Sequence, residues 1–198
     1  DARRVAEAPG ALPTLVAAVA TCTRAAVAPN LHIAAANAVV VLAQIASASP
    51  ELARRVSQVP GALPALITAT SAGGTTAVAS LQDAAANGIS VLAQMVSASS
   101  ELTHSMAEVP GGLSALVAAV AAGTAAAAAN LQDRAANSMG VLALMALASP
   151  GLACRVADEP GALPVLVAAV GAGGAAAAPH LQEVAANSSQ VLAHAASA

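Results

Sequence analysis

The chain contains no phenylalanine, tyrosine, tryptophan or lysine, and charged residues make up only 9% of its 198 positions. Each absence excludes something. Without aromatic rings there is no platform on which nucleic-acid bases could stack. A net charge of -3, with no basic stripe, gives nothing to follow a phosphate backbone, so nucleic acid is not the expected partner. A core without aromatics gains less from each buried side chain, so helix backbones must approach closely across small residues. The expectation is thin, tightly packed layers. Against these absences stands a hydrophobic share of 58%, mostly alanine with valine and leucine, which excludes an intrinsically disordered chain.

What is present is repetition. Ala-Asn followed four residues later by Val-Leu-Ala recurs at Asn37, Asn87, Asn137 and Asn187, a step of 50 residues. A second phrase, Pro-Gly-x-Leu-[Pro/Ser]-x-Leu, opens at Pro9, Pro60, Pro110 and Pro160. A fixed period of this size is the signature of a solenoid, whose units bury their apolar faces against their neighbours. It predicts one elongated all-α body of four repeats, approximately 1–47, 48–97, 98–147 and 148–198. Asp1 falls inside a repeat and Ala198 ends without a polar capping unit. The expectation is a piece of a longer protein, or ends covered by partners.

The second repeat reads as three helices. Ser49-Pro50-Glu51 supplies a capping hydroxyl, a proline suited to the first turn and an acid at the positive end of the helix dipole. A short helix from Pro50 to about Gln58 follows, ended by Pro60-Gly61. A second begins near Ala62, with Leu63, Leu66 and Ile67 spaced i, i+3, i+4. Ala72 to Thr76 reads as a flexible loop. Ser80 is then the expected cap of a third helix, Leu81 to about Val96, with Asp83 as its box partner.

These residues carry a resemblance. Gly61-Ala62-Leu63-Pro64-Ala65-Leu66-Ile67 resembles the armadillo phrase between first and second helices. Leu81-Gln82-Asp83-Ala84-Ala85-Ala86, running on through Val91-Leu92-Ala93, resembles the armadillo third helix. The resemblance spans essentially the whole chain and implies a right-handed α-solenoid, an armadillo-like superhelix of about three helices per repeat. Two departures qualify it. The period is 50 rather than about 42 residues, the excess lying before the third helix. The importin-like Trp position holds asparagine, and the Asn position holds Val41, Val91, Val141 and Val191. The nuclear-localisation receptor function therefore does not carry over.

Phase divides the third helix into two stripes. Leu81, Ala85, Ile89 and Leu92 suit packing against neighbouring helices. Asp83, Asn87, Ser90, Val91 and Gln94 fall on another stripe, which the resemblance implies would line a concave groove. Stacking gives four rows: Ile33, Asp83, Asp133 and Glu183; then Asn37, Asn87, Asn137 and Asn187; then Val41, Val91, Val141 and Val191; then Gln44, Gln94, Leu144 and His194. An asparagine amide both donates and accepts, so it can clamp a peptide backbone without reading its sequence. Alternatively the asparagines bond to each other or to a neighbouring backbone, or are merely exposed. The expected function is a non-enzymatic protein-interaction scaffold in a larger assembly, binding a protein partner such as an extended segment along this groove. The alternative is a structural subunit docked on a membrane-associated complex through the apolar Gly/Ala-rich loops at 20–28, 72–79, 122–129 and 171–178.

Little else suggests chemistry. Stretches such as Val109 to Gln132 approach a membrane span in length, but Gly and Pro interrupt them and flanking anchors are missing. Membrane contact is expected only indirectly, and the expected location is intracellular, cytoplasmic or organellar. Cys22 and Cys154 lie at unrelated repeat positions and are expected to stay unpaired. The acids sit mostly at helix starts, where dipole and capping roles suffice. His32, His104, His180 and His194 share no register, which argues against a metal site or axial tetrapyrrole ligation. His180 with Glu183 is expected to be a cap with its box partner. No cofactor, metal or catalytic residue is assigned.

Overall fold

The structure, a computed structural model, describes residues 2–23, 28–74, 78–126, 129–174 and 177–198. Among these residues there are helices and no strand: α1 Ala2–Glu7, α2 Ala11–Cys22, α3 Pro29–Ala48, α4 Pro50–Ser57, α5 Ala62–Gly74, α6 Ala79–Ala98, α7 Glu101–Glu108, α8 Gly112–Thr124, α9 Ala129–Ala148, α10 Pro150–Asp158, α11 Ala162–Ala172 and α12 Pro179–Ser197. The chain is all-α, and each sequence repeat holds a short, a medium and a long helix. The helices group into two compact units, Asp1–Leu102 and Thr103–Ala198.

The starts of the short helices follow the sequence logic. Ser49 and Ser149 are extended residues whose side chains accept from the Leu52 and Leu152 backbone N–H groups at 3.2 Å, with Pro50 and Pro150 in the first turn. The Pro-Gly turn works through backbone conformation. Gly61 and Gly161 have φ of 81° and 83°, a left-handed geometry that lets the chain reverse from the short helix into the medium one.

The long helices start differently from the expectation. The residue capping α6 is Val78, not Ser80, and no side chain caps it. Ala79 continues the helix backwards because alanine favours it. The Val78 carbonyl then accepts from Leu81 and Gln82 N–H at 3.0 and 3.1 Å. Asp83 is therefore in the second turn and closes no capping box. Glutamines take up part of the work: Gln132 Nε2 donates to the Ala126 carbonyl at 3.0 Å, and Gln182 Nε2 to Ala177 at 3.2 Å. Each ties the loop ahead of a long helix to that helix.

In the first unit, α3 packs on α1, α2, α4 and α6, while α6 packs on α4 and α5, and α2 meets α5. Leu42, Ile45, Leu66, Ile89, Leu92 and Met95 are fully buried there. In the second unit, α9 packs on α8, α10 and α12, α12 also meets α10 and α11, and α8 meets α11. Met106, Leu116, Met139, Leu142, Met145 and Leu166 fill that core. All four methionines of the chain are buried. In the absence of aromatics the flexible thioether is the largest gap-filler present.

The segment read as a loop from Ala72 is partly helix. Gly73 and Gly123 are buried near the ends of α5 and α8. A Cβ on Gly73 would overlap the Leu81 carbonyl and the Ala85 methyl, and one on Gly123 would overlap the Leu131 carbonyl and the Ala135 methyl. The glycines permit the medium and long helices to touch backbone to backbone. Of the loop positions, 24–27, 75–77, 127–128 and 175–176 lie outside the described residues. Among the described residues one helix, α3, is long and apolar enough to cross a membrane, with mean hydropathy 1.7 and 44% of that window buried, and α7 with α8 meets the same test only as a pair bent by 92°. A mostly apolar helix packed on four others meets the same criteria.

Two substitutions test the glycine roles. Gly123→Ala should cost about 1–3 kcal/mol through overpacking, and Gly161→Ala about 1–2 kcal/mol through left-handed strain. Chemical denaturation of each variant measures both. An unchanged midpoint for Gly123→Ala would show that the backbones are not in contact there.

Candidate functional site

The rows assigned to a groove divide by burial. In the first unit, Asn37 and Gln44 are exposed on α3, while Asp83 and Gln94 are exposed and Asn87 half-buried on α6. α3 and α6 are packed neighbours, so the asparagines sit at matching register on adjacent helices. In the second unit, Asp133 and Asn137 are exposed on α9, and on its neighbour α12 Glu183 is exposed while Asn187 and His194 are half-buried. Leu144 is half-buried and Ile33 is 54% exposed.

The valine row is corrected. Val91, Val141 and Val191 are 0% exposed, and Val41 is half-buried. Four residues exceed one helical turn by about 40°, and this offset carries the valine away from the asparagine edge. It joins a second buried stripe: Ala84, Gly88, Val91 and Met95 in α6, matched by Arg134, Ser138, Val141 and Met145 in α9 and by Val184, Ser188 and Val191 in α12. The expected first stripe, Leu81, Ala85, Ile89 and Leu92, is also buried. The second stripe eluded the sequence reading because Ala, Gly and Ser add little hydrophobic signal, although they sit in the core.

The asparagines do not form a bonded ladder. Asn87 Nδ2 donates to the Asp83 carbonyl of its own helix at 2.9 Å. Among the described residues, no hydrogen bond joins one of the four asparagines to another. His180 is not a cap: α12 begins after Ala178 without a side-chain cap, and His180 Nδ1 lies 3.0 Å from Asp133 Oδ1. The imidazole thus reaches across to α9 and engages the acid of the first row.

Three roles had no place in the sequence reading. Arg55 Nη2 donates to the Ala6 carbonyl at 2.8 Å, capping the end of α1 from the following repeat. Arg155 repeats this on α7, donating to the Ala107 carbonyl at 2.7 Å and pairing with Glu108. A matching register, 55 and 155, was the available signal. Arg134 is 2% exposed at a position occupied by Ala84 and Val184 in other repeats, and its burial lowers the guanidinium pKa. A lone charge at an apolar register was the clue there.

In the first unit, a pocket of about 350 Å³ is lined by Arg3, Glu7, Ser49, Glu51, Leu52 and Arg55, among others. Its charges answer one another: Arg3 pairs with Glu7 at 3.0 Å, Glu51 is held by Arg54 at 2.9 Å, and Ser49 is occupied as a cap. No nucleophile stands beside a base in this lining. Among the described residues no three His, Cys, Asp or Glu side chains converge as a metal site requires. Cys154 is a free thiol, and the side chain of Cys22 lies outside the described residues. Compared with known protein families, curated proteins and solved structures, the chain shows no match.

The burial split has a direct consequence. Val141→Thr should cost about 1–3 kcal/mol, because a hydroxyl is placed in the core. Asn137→Ala, at the exposed edge, should stay within about 0.5 kcal/mol. Urea titrations followed by circular dichroism compare the two. Equal costs would overturn the assignment of the valines to the core.

Proposed function

We propose that the chain is a non-enzymatic protein-interaction scaffold. In this reading its four repeats form a right-handed, armadillo-like solenoid that binds an extended segment of a partner protein. The contacts come from the edge carrying the asparagines with Asp83, Glu183, Gln44 and Gln94. The observation that carries the reading is the state of the asparagines. They recur at one register of every long helix, reach the edge of each unit, and are not joined to one another. A purely structural ladder would have rung-to-rung bonds. Amides left at an edge can instead pair with a peptide backbone.

The spacing agrees. Packed helices lie roughly 8–10 Å apart, and an extended chain advances about 3.3 Å per residue, so three peptide residues match one repeat. The valines support the edge from beneath, and the acids lend it a preference for basic side chains. Asp133 takes part once His180 releases it.

A display selection of random peptides against the purified chain would supply a ligand. Replacing Asn37 and Asn87 by alanine should then weaken binding about tenfold at unchanged helicity, each amide contributing about 0.5–1.5 kcal/mol. Fluorescence polarisation reads the dissociation constant. Unchanged affinity would rule out the asparagine clamp.

A further inference from the structure

On each long helix three positions follow the asparagine along one side, within about 80° of it. They are Val40, Gln44 and Ser47 in α3, Ser90, Gln94 and Ser97 in α6, and Gln190, His194 and Ser197 in α12. In α9 they are Gly140, Leu144 and Leu147. Leu147 is 49% exposed, and Gly140 and Leu144 are half-buried. The outer side of α9 thus begins with Asp133 and Asn137, both exposed, and ends apolar. The same side of α6 and of α12 is polar throughout.

Neither backbone nor packing calls for glycine at 140. Its φ is not positive, unlike that of Gly161, and a Cβ there would meet nothing within 4 Å, unlike one on Gly123. Glycine weakens a helix interior relative to alanine, so the helix bears a cost here that its own packing does not use. What glycine gives is a dimple at the surface. A single exposed leucine would need no account. Here Leu144 lies one turn beyond the dimple and Leu147 two turns, and residues three apart are neighbours on a helix surface. Together they form a shallow apolar seat.

We infer that Gly140, Leu144 and Leu147 are the subsite that takes a bulky apolar side chain of the bound partner segment. The inference rests on the asparagine-edge reading and adds to it the residue type that repeat three selects. Asn137 lies one turn before Gly140 on the same side of α9. A segment held by that amide lays its next side chain over the glycine, where the missing Cβ admits close approach and the two leucines close around it. Charge states the rest of the partner. The outer side of α9 and that of its packed neighbour α12 carry Asp133 and Glu183 and no arginine. A second copy of this chain, with net charge -3, complements these acids poorly. A separate segment that joins a basic residue to the apolar one complements them well.

A random peptide library displayed against the purified chain tests it. The peptides that bind should share one bulky apolar residue, and replacing that residue by alanine should weaken binding about tenfold in fluorescence polarisation. The triple variant Gly140→Ser, Leu144→Gln, Leu147→Ser gives α9 the residues that α6 carries at the same register, so circular dichroism should be unchanged. In that variant the parent peptide and its alanine form should bind equally. A preference for the parent peptide that survives in the variant overturns the inference. So does a wild-type chain that self-associates and ceases to in the triple variant, because the occupant would then be a second copy. Asn137→Ala combined with Asn187→Ala separates this inference from the clamp. If only the asparagine pair lowers affinity, the clamp stands and the apolar subsite falls. If only the triple variant lowers it, the subsite stands and the clamp falls. A library that yields no binder overturns both.

Discussion

Backbone-to-backbone contact between the medium and long helices is the constraint on which the rest depends. With no aromatic side chain available, the layers cannot be filled from a distance by large groups, so the helices move together until glycine and alanine touch. Gly73 against Leu81 and Ala85, and Gly123 against Leu131 and Ala135, mark where that approach has left no room for a methyl group. Close approach gives many dispersion contacts from small atoms, and the few larger gaps are taken up by Met95, Met106, Met139 and Met145.

The same closeness explains how polar groups are handled. The long helices α3, α6 and α12 begin without side-chain caps, and the glutamines of α9 and α12 reach back to the preceding loop. The short helices α1 and α7 each end where an arginine from the next repeat covers a carbonyl, Arg55 for one and Arg155 for the other. Hydrogen bonds thus couple successive repeats through side chains long enough to cross a layer. Among the described buried residues, Arg134 is the only arginine, aspartate or glutamate.

Much of the fold was legible in the chain. The 50-residue period, the Ser-Pro starts at Ser49 and Ser149 and the Pro-Gly turns predicted helix number, order and approximate bounds, because these signals act within a few residues. The start of α6 was missed because alanine carries the helix past Ser80 to Ala79. Of the rows read from the sequence, the first (Ile33, Asp83, Asp133 and Glu183) is exposed throughout, and the asparagine row and the fourth row are exposed or half-buried. The valine row was misplaced because its burial depends on a neighbouring stripe of Ala, Gly and Ser, whose hydrophobic signal is weak although their packing is tight.

By itself the sequence determined that the chain is helical, repeated, free of aromatic stacking surfaces and weakly charged. These properties follow from local propensity, spacing and composition, which need no neighbour. Only the tertiary structure decided which faces are covered. Leu113, Val117 and Val120 are buried while Leu163, Val167 and Val170 are open, although the three residue types are the same. Exposure belongs to a residue together with whatever lies against it, so identical side chains in successive repeats can have opposite surroundings.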